Sequence, residues 1–421
     1  MHKLYTFPSG LRLLVKKVDA VRSVTAGIWV GTGSCNETAE NNGISHFIEH
    51  MLFKGTKKRS ALQIAEAVDN VGAQINAFTT KECTCFYTKS ISEHVERCFE
   101  VLSDLFFNSV FAGDEMSREK KVVLEEISMV EDAPEDVCHE LLSDIFFEGS
   151  TLGYRILGSS ENVKGFTESD IRKYLAANYR AQNVVLSVVG NVDFSAVKEL
   201  TKRYFDGNFD TAKVVLPDKP AAHVPSRKLI SKKKQIEQAS IAIGIPSISF
   251  NHPRSYPLAI LNNILGGGGM SSRLFQKIRE ELGLAYSVYS YNSSYVNNGM
   301  FSVYCGTNPK NAAKVVETLS SELRRLKREY ITESEFSRGK EQMKAAFILG
   351  QESTSSIMNV YGKLLVLSGE VFDIDKRLEA INGVTFGDIH DIIDDVISFD
   401  NVCAAFVSDD TGADLLQYLH L

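Results

Sequence analysis

Two histidines four residues apart, His46 and His50, with Glu49 beside the second, lie in the stretch Gly43-Ile44-Ser45-His46-Phe47-Ile48-Glu49-His50-Met51-Leu52-Phe53-Lys54-Gly55. On an α-helix, residues at i and i+4 lie one above the other, so both imidazoles can reach a single metal ion. Glu49 projects close to the same face. Phe47, Ile48, Met51 and Leu52 cover the other side, which calls for a packed helix with its polar edge turned to a cavity. Asn42 offers an N-cap and Gly55 a stop, giving about three turns.

A histidine pair at this spacing is often two buried, hydrogen-bonded imidazoles and nothing more. The glutamate changes the reading, because His-x-x-Glu-His inverts the His-Glu-x-x-His zinc hydrolase signature. Two neutral imidazoles would hold Zn²⁺, a third ligand would come from elsewhere, and the fourth position would keep a water. Glu49 would then be the general base that takes the proton of that acidified water. The third ligand is sought in the helical segment Glu115 to Ile127, where Glu119, Val122, Val123, Glu126, Ile127 and Val130 fall on one face and Glu125 points away. Most helical glutamates are solvated. One on an apolar face must be paired or bind a metal, which selects Glu126 as ligand and Glu119 as the hydrogen-bond partner of a metal-bound imidazole.

The rest of the chain must position these groups. With 421 residues it can form two or more domains, each with a full core. The composition, 44% hydrophobic and 24% charged, is that of a soluble globular protein, with no stretch long enough to cross a bilayer. A net charge of −7 argues against nucleic acid or an anionic membrane as partner, and the short run Ser231-Lys232-Lys233-Lys234 reads as a solvated strand edge. The N-terminal residues lack the pattern of a secretory signal, and seven scattered cysteines without Cys-x-x-Cys fit a reducing cytoplasm.

Strand patterns at 11–16, 23–31, 74–79, 83–91 and 184–190 and helical ones at 61–71, 93–107, 114–131, 135–147 and 168–179 fall in runs, strands feeding helices without strict βαβ alternation. Prolines 217, 220 and 225 mark a linker. Beyond it the first half recurs: Ala239–Ile245 answers Ser23–Val30, Gly299–Cys305 answers Cys83–Tyr87, and Val402–Val407 answers Val184–Val189. The expected architecture is α+β, two tandem homologous domains, each a mainly antiparallel sheet packed with helices: residues 1–210 for the metal-binding domain, 211–234 for the linker and 235–421 for the second domain. Only the first copy carries the histidines; the matching segment Ala259–Leu265 has no metal ligands.

These motifs together resemble the pitrilysin-type zinc peptidases, which include insulin-degrading enzyme and the mitochondrial processing peptidase, over nearly the whole chain. Gly43 through Thr56 is similar to the zinc helix of the short, processing-peptidase-like bacterial members, and Glu126 falls at the family's spacing from His50. Gly72-Ala73-Gln74-Ile75-Asn76-Ala77-Phe78-Thr79 resembles the edge strand to which an extended substrate adds, implicating Asn76, Ala77 and Phe78 in main-chain recognition. The run Gly266–Gly269 resembles the family's glycine-rich loop and lacks the Lys-Ser/Thr of a phosphate-binding loop. In the segment Arg279–Val288, Arg279 and Tyr286 match the pair that reaches the substrate at the scissile bond, where they would steady the oxyanion.

The resemblance implies a processing-peptidase-type roll in each domain, one zinc per chain, extended peptides as substrates, and a homodimer in which Arg279 and Tyr286 complete the partner's site. The competing expectation is a non-catalytic structural or partner subunit of the same fold. Intact ligands and base disfavour it, and zinc bound per chain separates the two.

Overall fold

The computed structural model describes residues 2–209, 216, 218–409 and 414–420 and contains two sheets. The first is built from β1 (His2–Thr6), β2 (Arg12–Lys17), β3 (Ser23–Val30), β4 (Gln74–Thr79), β5 (Thr84–Ile91) and β6 (Val184–Gly190), in the order β1-β2-β6-β3-β5-β4. Neighbours are antiparallel except β2 and β6. β3 turns Val24, Ala26, Ile28 and Val30 to one face and Thr25, Gly27 and Trp29 to the other, and both faces are buried.

The first face packs on α1 (Ile44–Leu52) through Phe47, Ile48, Met51 and Leu52. α1 is followed by α2 (Ala61–Asp69), opened by a Ser60/Gln63 capping box, then α3 (Val95–Asn108) and α4 (Gly113–Asp132). The second face is covered by a helix from far along the chain, Thr354–Ser368. Trp29 Nε1 donates to Met358 Sδ at 3.2 Å, and the Thr25 and Thr354 hydroxyls bond at 2.9 Å. Gly362 leaves room for the indole.

The second sheet, β7 (Lys228–Lys233), β8 (Ala239–Pro246), β9 (Ala285–Ser294), β10 (Gly299–Thr307) and β11 (Cys403–Ser408), runs β7-β11-β8-β10-β9. Its one parallel pair, β7 with β11, corresponds to β2 with β6. Strands β8, β10 and β11 hold the places of β3, β5 and β6, so the internal repeat read from the sequence is carried by strand order. The face of β8 and β11 is covered by α5 (Pro134–Phe146), whose Cys138 thiol lies 3.4 Å from the carbonyl oxygens of both Ser240 and Ala405.

The compact units do not follow the linear division at 210 and 235. One comprises Met1–Ile127, Tyr154–Lys219 and Gly350–Phe372; the other comprises Ser128–Gly153, Pro220–Leu349 and Asp373–Leu421. A sheet with two apolar faces needs a layer on each, and each sheet here takes one layer from the other half of the sequence. The expected linker is also partly structured. Lys219 Nζ donates to the carbonyls of Gly31 at 2.8 Å and Glu82 at 2.7 Å, and Lys228–Lys233 form edge strand β7, where Lys232 pairs with Glu131. Residues 211–215 and Pro217 lie outside the described residues. No helix among the described residues is long and apolar enough to cross a membrane.

A Cβ on Gly362 would sit 2.1 Å from Trp29 Nε1, so Gly362→Ala is expected to cost about 1–3 kcal/mol by overpacking despite alanine's better helix propensity. Chemical denaturation measures it, and a variant as stable as the parent would contradict this packing.

Candidate metal centre and active site

α1 is shorter than its sequence suggested, nine residues from Ile44 to Leu52, and Asn42 is not its cap. Gly43 takes that place at φ 100°, a left-handed conformation that glycine adopts without strain, and a Cβ there would lie 2.7 Å from the Leu157 carbonyl oxygen. Ile44 N donates to the Asn41 carbonyl at 3.0 Å, and two more amides at the helix start are satisfied by Glu37. Its carboxylate accepts from Gly43 N at 2.7 Å and Ser45 N at 2.8 Å, while Asn42 Nδ2 donates to it at 2.8 Å. Glu37 is only 3% exposed, and burial pushes its carboxyl up to about 7 against the pull of these donors. Ser45 adds a hydroxyl bond to Tyr174 at 2.8 Å on the buried side.

With the helix held in this rotation, His46 and His50 present their rings side by side, centroids 4.5 Å apart. His46 Nε2 lies 3.7 Å and His50 Nε2 3.5 Å from the same Oε2 of Glu126 on α4. These separations are long for direct hydrogen bonds. They approach the edge of roughly 3.3 Å expected for a tetrahedron at zinc–ligand bond lengths. One ligand atom from each of the three residues lies within 4.8 Å of the others, the one such cluster among the described residues. Burial, reinforced by His50, pushes His46 down to about 3, so its imidazole is neutral, as a ligand must be. The donor set therefore fits a single Zn²⁺ with one coordination position left open.

The other ring nitrogen of His50, Nδ1, lies 2.9 Å from Glu119 Oε1, while Lys54 Nζ reaches Glu119 Oε2 at 2.8 Å. Glu119 is 4% exposed, and this lysine and imidazole account for its burial. The face of α4 differs from expectation in one respect: Val122 is exposed, and the buried line runs through Met116, Glu119 and Val123. Glu49 turns its carboxylate toward Thr79, whose hydroxyl donates to Oε2 at 2.5 Å. Burial raises the Glu49 pKa, with Thr79 and His50 opposing.

β4 closes one edge of its sheet, bonded to β5 alone among the described strands. On it Asn76 is exposed and its Oδ1 accepts from Ala77 N at 2.8 Å, while the Phe78 ring meets Trp29 edge-on at 5.4 Å. In the second unit, Arg279 lies in the π-helical turn Phe275–Glu281 and donates to the Tyr286 carbonyl at 3.1 Å. Its guanidinium stands 4.7 Å from the rings of both Phe275 and Tyr286, and Tyr286 is 72% exposed. Sequence reasoning missed Glu37, Lys54 and Thr79. Lys54, at the end of the histidine stretch, and Thr79, at the end of the edge-strand pattern, each lie in a segment with a local signal.

Residues 12–160 match the family model described as insulinase, peptidase family M16, and residues 165–343 match the model described as the peptidase M16 inactive domain. A protein of Bacillus subtilis named as an uncharacterized zinc protease is 44% identical over 91% of this chain and 93% of its own length. A Streptomyces coelicolor protein of the same description is 36% identical over 93% of this chain and 86% of its own. This chain belongs to the M16 peptidase family. Its fold is also that of a Helicobacter pylori protease, with a TM-score of 0.90 at 22% identity, covering 97% of this chain and 99% of that one. The half matched by the M16 inactive-domain model is the half without the histidine pair.

A carboxyl raised by burial holds its proton in the folded state where the unfolded chain, near 4.5, has released it. The stability this contributes is full below the unfolded value and is lost as pH rises through about 7. Wild type is therefore expected to gain thermal midpoint relative to Glu37→Gln as the pH is lowered from about 8 to about 5. A difference that stays flat, read by calorimetry across that range, would contradict the assignment.

Proposed function

We propose that this M16 peptidase is a zinc metalloendopeptidase that hydrolyses unstructured peptides or presequences within an enclosed chamber. The observation that carries the reading is the convergence of His46, His50 and Glu126 within 4.8 Å, with Glu49 on the same short helix. His46 and His50 would hold the ion through Nε2 and Glu126 through a carboxylate oxygen. Zinc bound there supplies Lewis acidity and an acidified water.

Glu49 does the proton work in this scheme. It takes the proton of the water that attacks the peptide carbonyl carbon, then returns it to the nitrogen as the carbon–nitrogen bond breaks. Glu119 fixes the His50 tautomer by accepting from Nδ1, leaving Nε2 free to ligate. The outward edge of β4, at Asn76, Ala77 and Phe78, receives the substrate as an added strand, which accounts for recognition by main chain more than by side chain.

Arg279 and Tyr286, already joined in one small cluster, are assigned to the substrate carbonyl. One chain carries both the zinc helix and this pair. The reading therefore extends to a symmetric homodimer in which each protomer's pair serves its partner's zinc site, with the cytoplasm as the compartment.

Replacing Glu49 by Gln should leave zinc content unchanged while lowering turnover of a quenched peptide by about 10²- to 10⁴-fold. Undiminished cleavage would remove Glu49 as the base. Glu119→Gln should weaken zinc by about 10- to 100-fold in a chelator competition; an unaltered affinity would leave Glu119 without its supporting role.

A further inference from the structure

Thr79 sits where the edge strand and the base meet. In an antiparallel pair, alternate residues exchange hydrogen bonds with the neighbouring strand while the residues between turn their N–H and C=O to the other side. The Ala77 amide donates to the Asn76 side chain at 2.8 Å and so belongs to the outward set, whereas Thr80 N turns inward to Cys83 O at 2.8 Å. By the same alternation the main chain of Thr79 faces the free edge. The side chains of Ile75, Ala77 and Thr79 share one face. Ile75 and Ala77 pack there against the core that contains α1, and there the Thr79 hydroxyl reaches Glu49 Oε2 at 2.5 Å.

We propose that Thr79 is a positioning residue for peptide cleavage: its main chain pairs with the added substrate strand while its hydroxyl fixes the Glu49 carboxylate. One residue then links where the scissile segment lies to where the base points. The inference rests on the reading of Glu49 as base and of β4 as the docking edge. The terminal torsion of a glutamate is broad, so an unrestrained carboxylate samples many orientations. A short bond to Oε2 removes that freedom and leaves Oε1 to take the proton. Valine at position 79 keeps the shape and the β propensity of threonine and deletes only the donor.

The test uses the full-length, zinc-loaded protein with Thr79→Val, Thr79→Ser and Glu49→Gln, alone and as Glu49→Gln/Thr79→Val. Thr79→Val is expected to lower kcat by about 10- to 100-fold, the scale of a misplaced catalytic group, with KM and zinc content unchanged. Thr79→Ser, which retains the hydroxyl, should restore most of the loss. In the double variant the valine should add little, because the two groups act as a unit.

Wild-type kcat in Thr79→Val, an equal loss in Thr79→Ser, or a loss confined to KM would each overturn the proposal. A thermal melt accompanies every variant, and if valine lowers the midpoint, Thr79→Ala is measured in its place against the same criteria. If Glu49→Gln remains active, the assignment of the base has failed. If Glu49→Gln is inactive and Thr79→Val is not, only the role of Thr79 has.

Discussion

The Glu37 carboxylate, nearly sealed from water, accepts the amide protons of Gly43 and Ser45 and so fixes how α1 is rotated about its own axis. In a nine-residue helix that angle matters, because each residue of misregister turns its side chains by about 100°. Such a turn would carry His46 and His50 away from Glu126 altogether. Phe47, Ile48, Met51 and Leu52 press the opposite side into the core, so packing and cap specify the same orientation.

Electrostatics around α1 follow from that placement. Glu37, Glu49, Glu119 and Glu126 gather around one helix, and Lys54 pairs with Glu119 at its far end. Buried carboxylates need compensation by hydrogen bonds or opposite charge. Backbone and side-chain donors compensate Glu37, and Lys54 with His50 compensates Glu119. Glu126 has the two imidazole nitrogens at distances that suit a shared dication better than a proton.

What could be read in the sequence was local or repeated. The i, i+4 histidines, the helix bearing Glu126, the edge-strand pattern before Thr79 and the echo of β3, β5 and β6 in β8, β10 and β11 all leave a periodic trace over a few residues. The Glu37 cap leaves none, since it joins a loop residue to amides across Asn42 through a turn whose shape no periodicity encodes. Val122 reads as core because it is apolar at helical spacing, although the helix is rotated enough to expose it. β7 falls inside the expected linker, where only the run Ser231–Lys234 reads as a strand edge. The layering of the helix Thr354–Ser368 on β3 joins residues more than three hundred positions apart, beyond any local signal.

That layering also bears on how the polypeptide can be made. During synthesis, the surface of the first sheet that carries Trp29 stays bare until residues 354–368 have left the ribosome, although every strand of that sheet was complete by Gly190. From Gly190 to Ser368 the nascent protein therefore elongates with an aromatic face that its own later residues must shield, the kind of exposure that chaperones relieve. A gene cut between the two repeats would yield fragments that each lack a covering layer.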